Sequence, residues 1–324
     1  MASFSFNFVE KVQDDISTSS NAEINFIPSL DGLIPIPKPS INTNTNISDS
    51  SIMINTQYSI ENNIYSLVEP RDTSIDGGTD LIPGVYEGGF KLWECSIDLS
   101  TYILQNYDSL LSTGSVSGGS NGGSSRVLDL GCGHGILGIC CASPPPTTTT
   151  TTATSTTTNP PHITFIDLNQ EVIEQVTWPN IQLNLHSHNI TDSYQNIKCY
   201  CGDFRHLPYI MKNSNHTSSN NSSNDINPIN EEYDLILSSE TIYTVNLCYW
   251  IIEIIKSCLK FNTGIALIAT KRYYFGVGGG TNQFLLDIEK ASSSLSTLTA
   301  TVIQSYEDGI SNIRDIILIK KIKK

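Results

Sequence analysis

In Val127-Leu-Asp-Leu-Gly-Cys-Gly-His-Gly135 an acid is followed by glycines at every second position, and the apolar run Ile136-Leu-Gly-Ile-Cys140 comes directly after. This pattern reads as a strand feeding a tight turn and then a helix, the nucleoside-binding opening of a doubly wound α/β domain. A side chain at Gly131 or Gly133 would hold the backbone away from a ligand, and such turns often need φ > 0. A pyrophosphate wants a bare helix N-terminus. A carboxylate beside the turn, here Asp129, suits a cation or a hydroxyl-rich ligand better. S-adenosylmethionine carries an ammonium, a sulfonium and a ribose diol, so the pattern favours methyl transfer over nicotinamide chemistry.

A second acid supports this. His162-Ile-Thr-Phe-Ile-Asp167 reads as a second strand ending in a carboxylate, and in nucleoside-binding α/β folds such an acid, ~20 residues past the first glycine, bonds the ribose hydroxyls. The gap here is longer by about the length of a Pro/Thr tract, and excising that tract restores the spacing. Asp167 is therefore the expected ribose ligand, with Asn169 placed to cap the next helix. A third strand, Ile197–Cys201, leads into Gly202-Asp203-Phe204, where the acid is expected to take an adenine amino group and the aromatic to pack on the ring.

The elements around these residues follow from pattern. From Lys91 onward, Leu92, Ser96, Leu99, Ile103 and Tyr107 form one stripe of a helix, which leaves Trp93 and Glu94 pointing elsewhere near its start. A helix over Glu171–His186 is expected to be bent or interrupted at Trp178-Pro179. Glu232–Glu240 is a fourth strand, apolar enough to be buried on both faces, whose end brings Ser239, Glu240 and Tyr243 to the rim where ligands bind. An amphipathic helix (Asn246–Lys260), a fifth strand (Gly264–Lys271), the glycine-rich stretch Tyr273–Gly280, a helix from Thr281 and a hairpin (Ala300–Tyr306 with Ile313–Ile322) complete seven strands. The fold expected is a doubly wound, seven-stranded Rossmann-like sheet in three α/β/α layers, mostly parallel with a closing antiparallel strand. The stretch Tyr273–Gly280 is read as a wall over the substrate cleft, since no Gly-Lys-Ser/Thr follows its glycines.

Composition bounds the rest. Of 324 residues only 15% are charged, and Ser, Thr and Asn crowd segments that cannot bury enough apolar surface to order themselves. Residues 1–76 are expected to be a largely disordered extension, with Ile60–Val68 adding a short element. Residues 77–324 are expected to be one domain carrying disordered insertions at about 112–125, 144–161 and 213–230. The net charge of −14 argues against a direct nucleic-acid site and suits a basic protein substrate. The basic cluster Lys320–Lys324 is read as a solvated strand end. The 8 cysteines lack zinc spacing, so no metal is expected. With neither an export signal nor a spanning segment, a reduced monomer in the cytoplasm and nucleus, the nucleolus included, is expected.

Several blocks together resemble the histidine protein methyltransferase 1 family, a branch of the seven-strand methyltransferases. They are Leu81-Ile-Pro-Gly-Val-Tyr-Glu-Gly-Gly89, Lys91-x-Trp-Glu-Cys95, the glycine turn, Asp167-x-Asn169, Val176-Thr-x-Pro-Asn180, Asp234-Leu-Ile-Leu237, Ser239-Glu-Thr-Ile-Tyr243 and Tyr274-Phe-Gly-Val-Gly-Gly-Gly280. The resemblance implies methylation of the tele nitrogen of one histidine in a large-subunit ribosomal protein. It also implies donor contacts from Leu92, Trp93, Glu94, Cys95, Ser96, Gly131, Asp167, Leu168, Asn169, Gly202, Asp203, Phe204 and Ser239. Where the family has Gly-Glu-Trp, this chain has Gly202-Asp-Phe204, a shorter acid with a different reach.

Neutral imidazole is already nucleophilic, with an unperturbed pKa near ~6.5. Choosing one ring nitrogen needs an acceptor for the N–H on the other, and Glu240, Tyr243 or a carbonyl of Tyr273–Gly276 is expected to provide it. Three rivals stand beside this reading: a nicotinamide oxidoreductase, a methyltransferase of lysine or a small molecule, and a non-catalytic ribosome-assembly module.

Overall fold

The computed structural model describes residues 32–38, 53–70, 82, 85–111, 124–143, 160–187, 191–213, 232–291, 296–307, 309 and 313–323. The three expected insertions fall almost wholly outside these residues, as does most of the N-terminal extension.

The strands in chain order are β1 (Ile34–Ile36), β2 (Met53–Ile60), β3 (Asn63–Pro70), β4 (Arg126–Leu130), β5 (His162–Asp167), β6 (Ile197–Cys201), β7 (Leu235–Ser239), β8 (Ile265–Lys271), β9 (Ser296–Tyr306) and β10 (Arg314–Lys323). The main sheet runs β1-β6-β5-β4-β7-β8-β10-β9. Strands β4 to β8 are parallel to their neighbours within this set. β10 is antiparallel to both β8 and β9. All seven expected strands are present in a doubly wound order that reverses at β4, so the ligand edge lies at the C-terminal ends of β4, β5 and β7.

Strand β1 was not expected. Residues 34–36 pair antiparallel with β6, adding an eighth strand from the N-terminal stretch. The fit is close: a Cβ on Gly32 would lie 2.1 Å from the His206 ring, and one on Gly202 would lie 2.3 Å from the Gly32 carbonyl oxygen. The element expected at Ile60–Val68 is longer and is a hairpin, β2 with β3, turning on Glu61 and Asn62 at φ 45° and 64°. Two consecutive positive φ values mark the mirror-image turn that matches strand twist.

Strand residues alternate between two apolar layers. Val127, Leu235 and Leu267 face helix α1 (Glu94–Gln105), helix α3 (Ile136–Ala142) and the hairpin, whereas Leu128, Ile236 and Ile268 face helices that include Val245–Cys258. Period-2 side-chain direction, with both faces covered, accounts for the unbroken apolar character of these strands. Helix α1 ends at Gln105, and Tyr107 opens a separate short helix, α2 (Tyr107–Leu111), with its hydroxyl donating to the Cys141 carbonyl at 2.9 Å. Lys321 departs from the solvated-strand-end reading. Its Nζ lies 3.9 Å from the Phe261 ring centroid and donates to the Leu259 carbonyl at 2.8 Å, so it is buried while Lys320 and Lys323 are exposed.

The irregularity expected at Trp178-Pro179 falls just before those residues, which open a regular helix. A short α turn (Gln170–Val172) passes through a π-helical turn (Ile173–Thr177) into helix α4 (Trp178–Ser187). π-turns widen a helix by one residue and often occur at functional sites. Here the turn brings the Thr177 hydroxyl to the Gly133 carbonyl at 2.6 Å and the Asn180 amide to the His134 carbonyl at 3.1 Å. The same face receives the hairpin: Asn180 Oδ1 accepts from Val68 N at 2.6 Å, and Asn184 exchanges bonds with Ser66 N and O at 2.9 and 2.8 Å.

Candidate active site

The glycine turn has the backbone its spacing demands. Gly131, Gly133 and Gly135 lie at φ 66°, 47° and 72°, where only glycine is unstrained. A Cβ at Gly131 would come within 2.7 Å of Thr241, and one at Gly133 within 3.2 Å of the Gly89 carbonyl. The turn is thus held between the end of β7 and the Glu87-Gly-Gly89 segment.

Asp167, at the end of β5, accepts from Gly133 N through Oδ2 at 2.9 Å and from Asn169 N through Oδ1 at 3.2 Å. Burial raises its pKa to about 6, against the lowering effect of those N–H bonds. Leu168 donates a further backbone bond to this carboxylate. Asn169 stands at the N-cap position without a side-chain capping bond, and its amide donates instead to the Val85 carbonyl at 2.7 Å.

Asp129 occupies a different place. It is fully buried beneath the turn, with Oδ2 accepting from Gly138 N at 3.0 Å. Its role in this geometry is to tie β4 to helix α3 rather than to present a carboxylate at the rim. Burial raises its pKa from 3.8 to about 8. A raised folded-state pKa means the native state holds a proton that the unfolded chain has lost. The contribution is therefore full below pH 3.8 and drains as pH rises, at up to ~1.4 kcal/mol per unit, until about 8, above which it is flat. Asp129→Asn is expected to flatten that part of the pH–stability profile in denaturant titrations. A variant profile parallel to the wild type across this range would refute the assignment.

Gly202 sits at φ 131°, and its N–H donates to the Asp167 carbonyl at 2.9 Å, which links the ends of β5 and β6. Asp203 caps the short turn Phe204–His206 and grips Arg205 through N at 2.9 Å and Nε at 2.7 Å. Phe204 is buried in the apolar cluster that holds Leu33, Tyr200 and Leu207. The departure from Gly-Glu-Trp therefore coincides with the place where the N-terminal strand packs onto the sheet.

The segment before β4 converges on the other half of the rim. The Trp93 indole N–H donates to the Gly88 carbonyl at 3.0 Å, Leu92 packs against the upper core, and Ser96 Oγ meets Ser239 Oγ at 2.8 Å. Cys95 is fully buried, and burial together with the nearby Glu240 carboxylate pushes its thiol pKa well up. Glu240 is a non-glycine residue at φ 56°, a rare backbone state that is concentrated at functional sites. Its Oε2 accepts from the Tyr274 hydroxyl, while Oε1 and Glu94 Oε2 each lie 3.9 Å from Lys271 Nζ. Burial raises the Glu240 pKa, with Lys271 opposing.

The Tyr243 ring stands edge-on to Tyr274 at 6.3 Å. The glycine-rich stretch is stitched to the chain beside it, Gly279 N donating to the Tyr243 carbonyl at 3.1 Å and Gly280 N to that of Ile242 at 2.8 Å. It walls an open hollow of about 590 Å³ lined by Tyr273 to Gly279, Asn282, Gln283 and Leu286.

Two contiguous groups thus form along one rim: Gly89, Gly133, Asp167 and Gly202 in one, and Trp93 to Ser96, Ser239 and Glu240 in the other, joined where Trp93 bonds Gly88. The sequence gives no role to the side chains of Lys271, Tyr274, Thr177 or Asn180. A lysine ending the otherwise apolar strand Ile265–Lys271 was the available signal, because a charge there must find partners.

A glycine turn on β4, a carboxylate ending β5 and an indole-bearing segment beside them are the architecture of a methyltransferase domain. The chain belongs to the methyltransferase-domain family, whose model matches residues 102–293. Within it, the chain is similar to the histidine protein methyltransferase 1 homolog of Dictyostelium discoideum, 34% identical over 241 residues that cover 74% of this chain and 60% of that protein. It is also similar to the homolog of Rattus norvegicus, 31% identical over 234 residues covering 67% and 54%. The chain thus spans less than two thirds of either relative's length. A solved structure from Streptococcus mutans is similar at TM-score 0.47 and 13% identity, over 82% of this chain and 55% of that one. Among the described residues, no helix is long and apolar enough to cross a membrane.

Proposed function

We propose that this chain transfers a methyl group from S-adenosylmethionine to the tele nitrogen of a histidine in a basic large-subunit ribosomal protein. The observation that carries the reading is the meeting of the Trp93–Ser96 segment with Ser239, Glu240 and Tyr274, which puts a donor-side segment against a tyrosine–carboxylate pair. Similarity to histidine protein methyltransferase 1 homologs supports the choice of acceptor.

The side chains suit this donor: Asp167, Asp203 and Glu94 with an indole match a cationic nucleoside with a ribose diol. Asp167 would take the ribose hydroxyls, the backbone at Gly131 and Gly133 would allow close approach, and Trp93, Ser96 and Ser239 would flank the methionine end. When bound, S-adenosylmethionine supplies an electrophilic methyl group on a sulfonium. The chain's own task is to present a neutral imidazole in line and to exclude water, which can supply on the order of 7–11 kcal/mol of the barrier reduction. Glu240, backed by Tyr274, or a carbonyl of Tyr273–Gly276 would accept the N–H of the other ring nitrogen and so fix the tautomer.

The test incubates the protein with labelled donor and large ribosomal subunits and locates the label by mass spectrometry. Tele-methylhistidine in one subunit protein is expected. Label found only on lysine, on RNA or on small molecules would overturn the reading.

A further inference from the structure

Lys271 ends β8 with its side chain buried, and three partners approach its ammonium from two parts of the chain. Glu240 Oε1 and Glu94 Oε2 each lie 3.9 Å away, and the Trp93 ring centroid lies at 5.6 Å. A buried ammonium is costly to desolvate unless well compensated, and a ring within about 6 Å adds cation–π attraction. Glu94 and Trp93 belong to the segment that flanks the donor in the reading above. Glu240 belongs to the acceptor side, where Tyr274 donates to it. The Ser96–Ser239 bond and the Cys95–Glu240 contact also join the two sides, and Lys271 is the cation set between the carboxylates of each.

We propose that Lys271 is a positioning residue that locks Trp93 and Glu94 to the Glu240–Tyr274 pair and so sets the spacing between methyl donor and acceptor. This rests on the methyl-transfer reading. Lys271 touches neither reactant; it acts by fixing where the carboxylates and the indole stand. Small errors in that spacing are expensive, because a displacement of about 1 Å can lower the rate by ~10²-fold.

The test compares wild type, Lys271→Met, Lys271→Arg and Glu94→Gln with the double variant Lys271→Met/Glu94→Gln. It uses the full chain, calorimetry for donor affinity and steady-state assays for kcat and KM. Lys271→Met is expected to lower kcat by about 10²-fold and to weaken donor binding about tenfold, the effect of losing one charged contact. The acceptor KM should stay in place, and Lys271→Arg should restore most of both losses. Donor affinity in the double variant should fall by less than the product of the two single losses, since part of each acts through the shared contact. Unchanged kcat and affinity in Lys271→Met would overturn the proposal, as would fully additive losses. Should Lys271→Met fail to fold, an arginine variant that folds yet shows no activity or affinity difference from Glu94→Gln would overturn it equally. If wild type methylates no histidine, the acceptor reading falls, and the calorimetric comparison still decides the role of Lys271.

Discussion

Asp167→Ala is expected to abolish measurable donor binding under conditions where the wild type saturates. Two charge-assisted bonds to a ribose diol are worth ~1.5–3 kcal/mol each, so their loss lowers affinity by about 10²-fold or more. The carboxylate also accepts from Gly133 N and Asn169 N, and leaving those donors unsatisfied costs about 1–3 kcal/mol of stability. Asp167→Asn separates the two effects, because it keeps an acceptor for the turn and removes the charge. Calorimetry on both variants, with a melting curve for each, checks the prediction, and normal affinity in Asp167→Ala would remove this residue from the donor site.

The pH dependence gives a second handle on the same residue. With its pKa raised by burial to about 6, Asp167 takes up a proton as pH falls through that value, and donor affinity should fall with it. The stability contribution has the opposite sign. A raised folded-state pKa adds stability as pH falls from about 6 toward 3.8. Affinity lost over this range in step with unfolding would count against the assignment.

Glu240→Gln is expected to lower kcat by about 10²-fold, the lower end of what one positioned proton acceptor contributes, while donor affinity changes much less. The substitution preserves shape at a backbone held at φ 56° and removes the charge that faces Lys271 and accepts from Tyr274. Tyr274→Phe should reproduce part of the loss by freeing the carboxylate. Tyr243→Phe should do less, since the stretch Gly279–Gly280 bonds to main-chain carbonyls there, including that of Tyr243. Single-turnover methylation assays on the three variants decide the matter. Wild-type rates in all of them would take these side chains out of the mechanism and leave the carbonyls of Tyr273–Gly276 as the tautomer-fixing groups.

Much of the frame was legible in the chain because local rules govern it. Glycines at alternate positions can only be a turn with positive φ, and apolar strands without alternation must lie inside a two-faced sheet. The acid that ends β5 falls at the rim once the Pro/Thr tract is discounted. These inferences use backbone sterics and side-chain period, which need no knowledge of distant residues. The seven strands, their class and the place of Asp167 at the rim follow from them, whereas Trp93 and Ser239 were singled out as donor contacts by the family resemblance alone.

Tertiary contacts decided the rest, because burial and pairing depend on which distant segments meet. Asp129 and Asp167 are the same residue type at the ends of neighbouring strands. Only packing against Gly138 makes one an internal tie, while the other reaches the glycine turn. Lys271 gained its partners because β7 and β8 lie side by side and helix α1 crosses above them, bringing residues 94, 240 and 271 together. Residues 34–36 became a strand because β6 offered an unpaired edge and Gly32 could approach His206 without a side chain. The sequence by itself determined the glycine turn, the acid-ended strand and the two-faced sheet; the charged cluster of Glu94, Glu240 and Lys271 required the folded sheet, since electrostatic partners are chosen by distance in space and not by order along the chain.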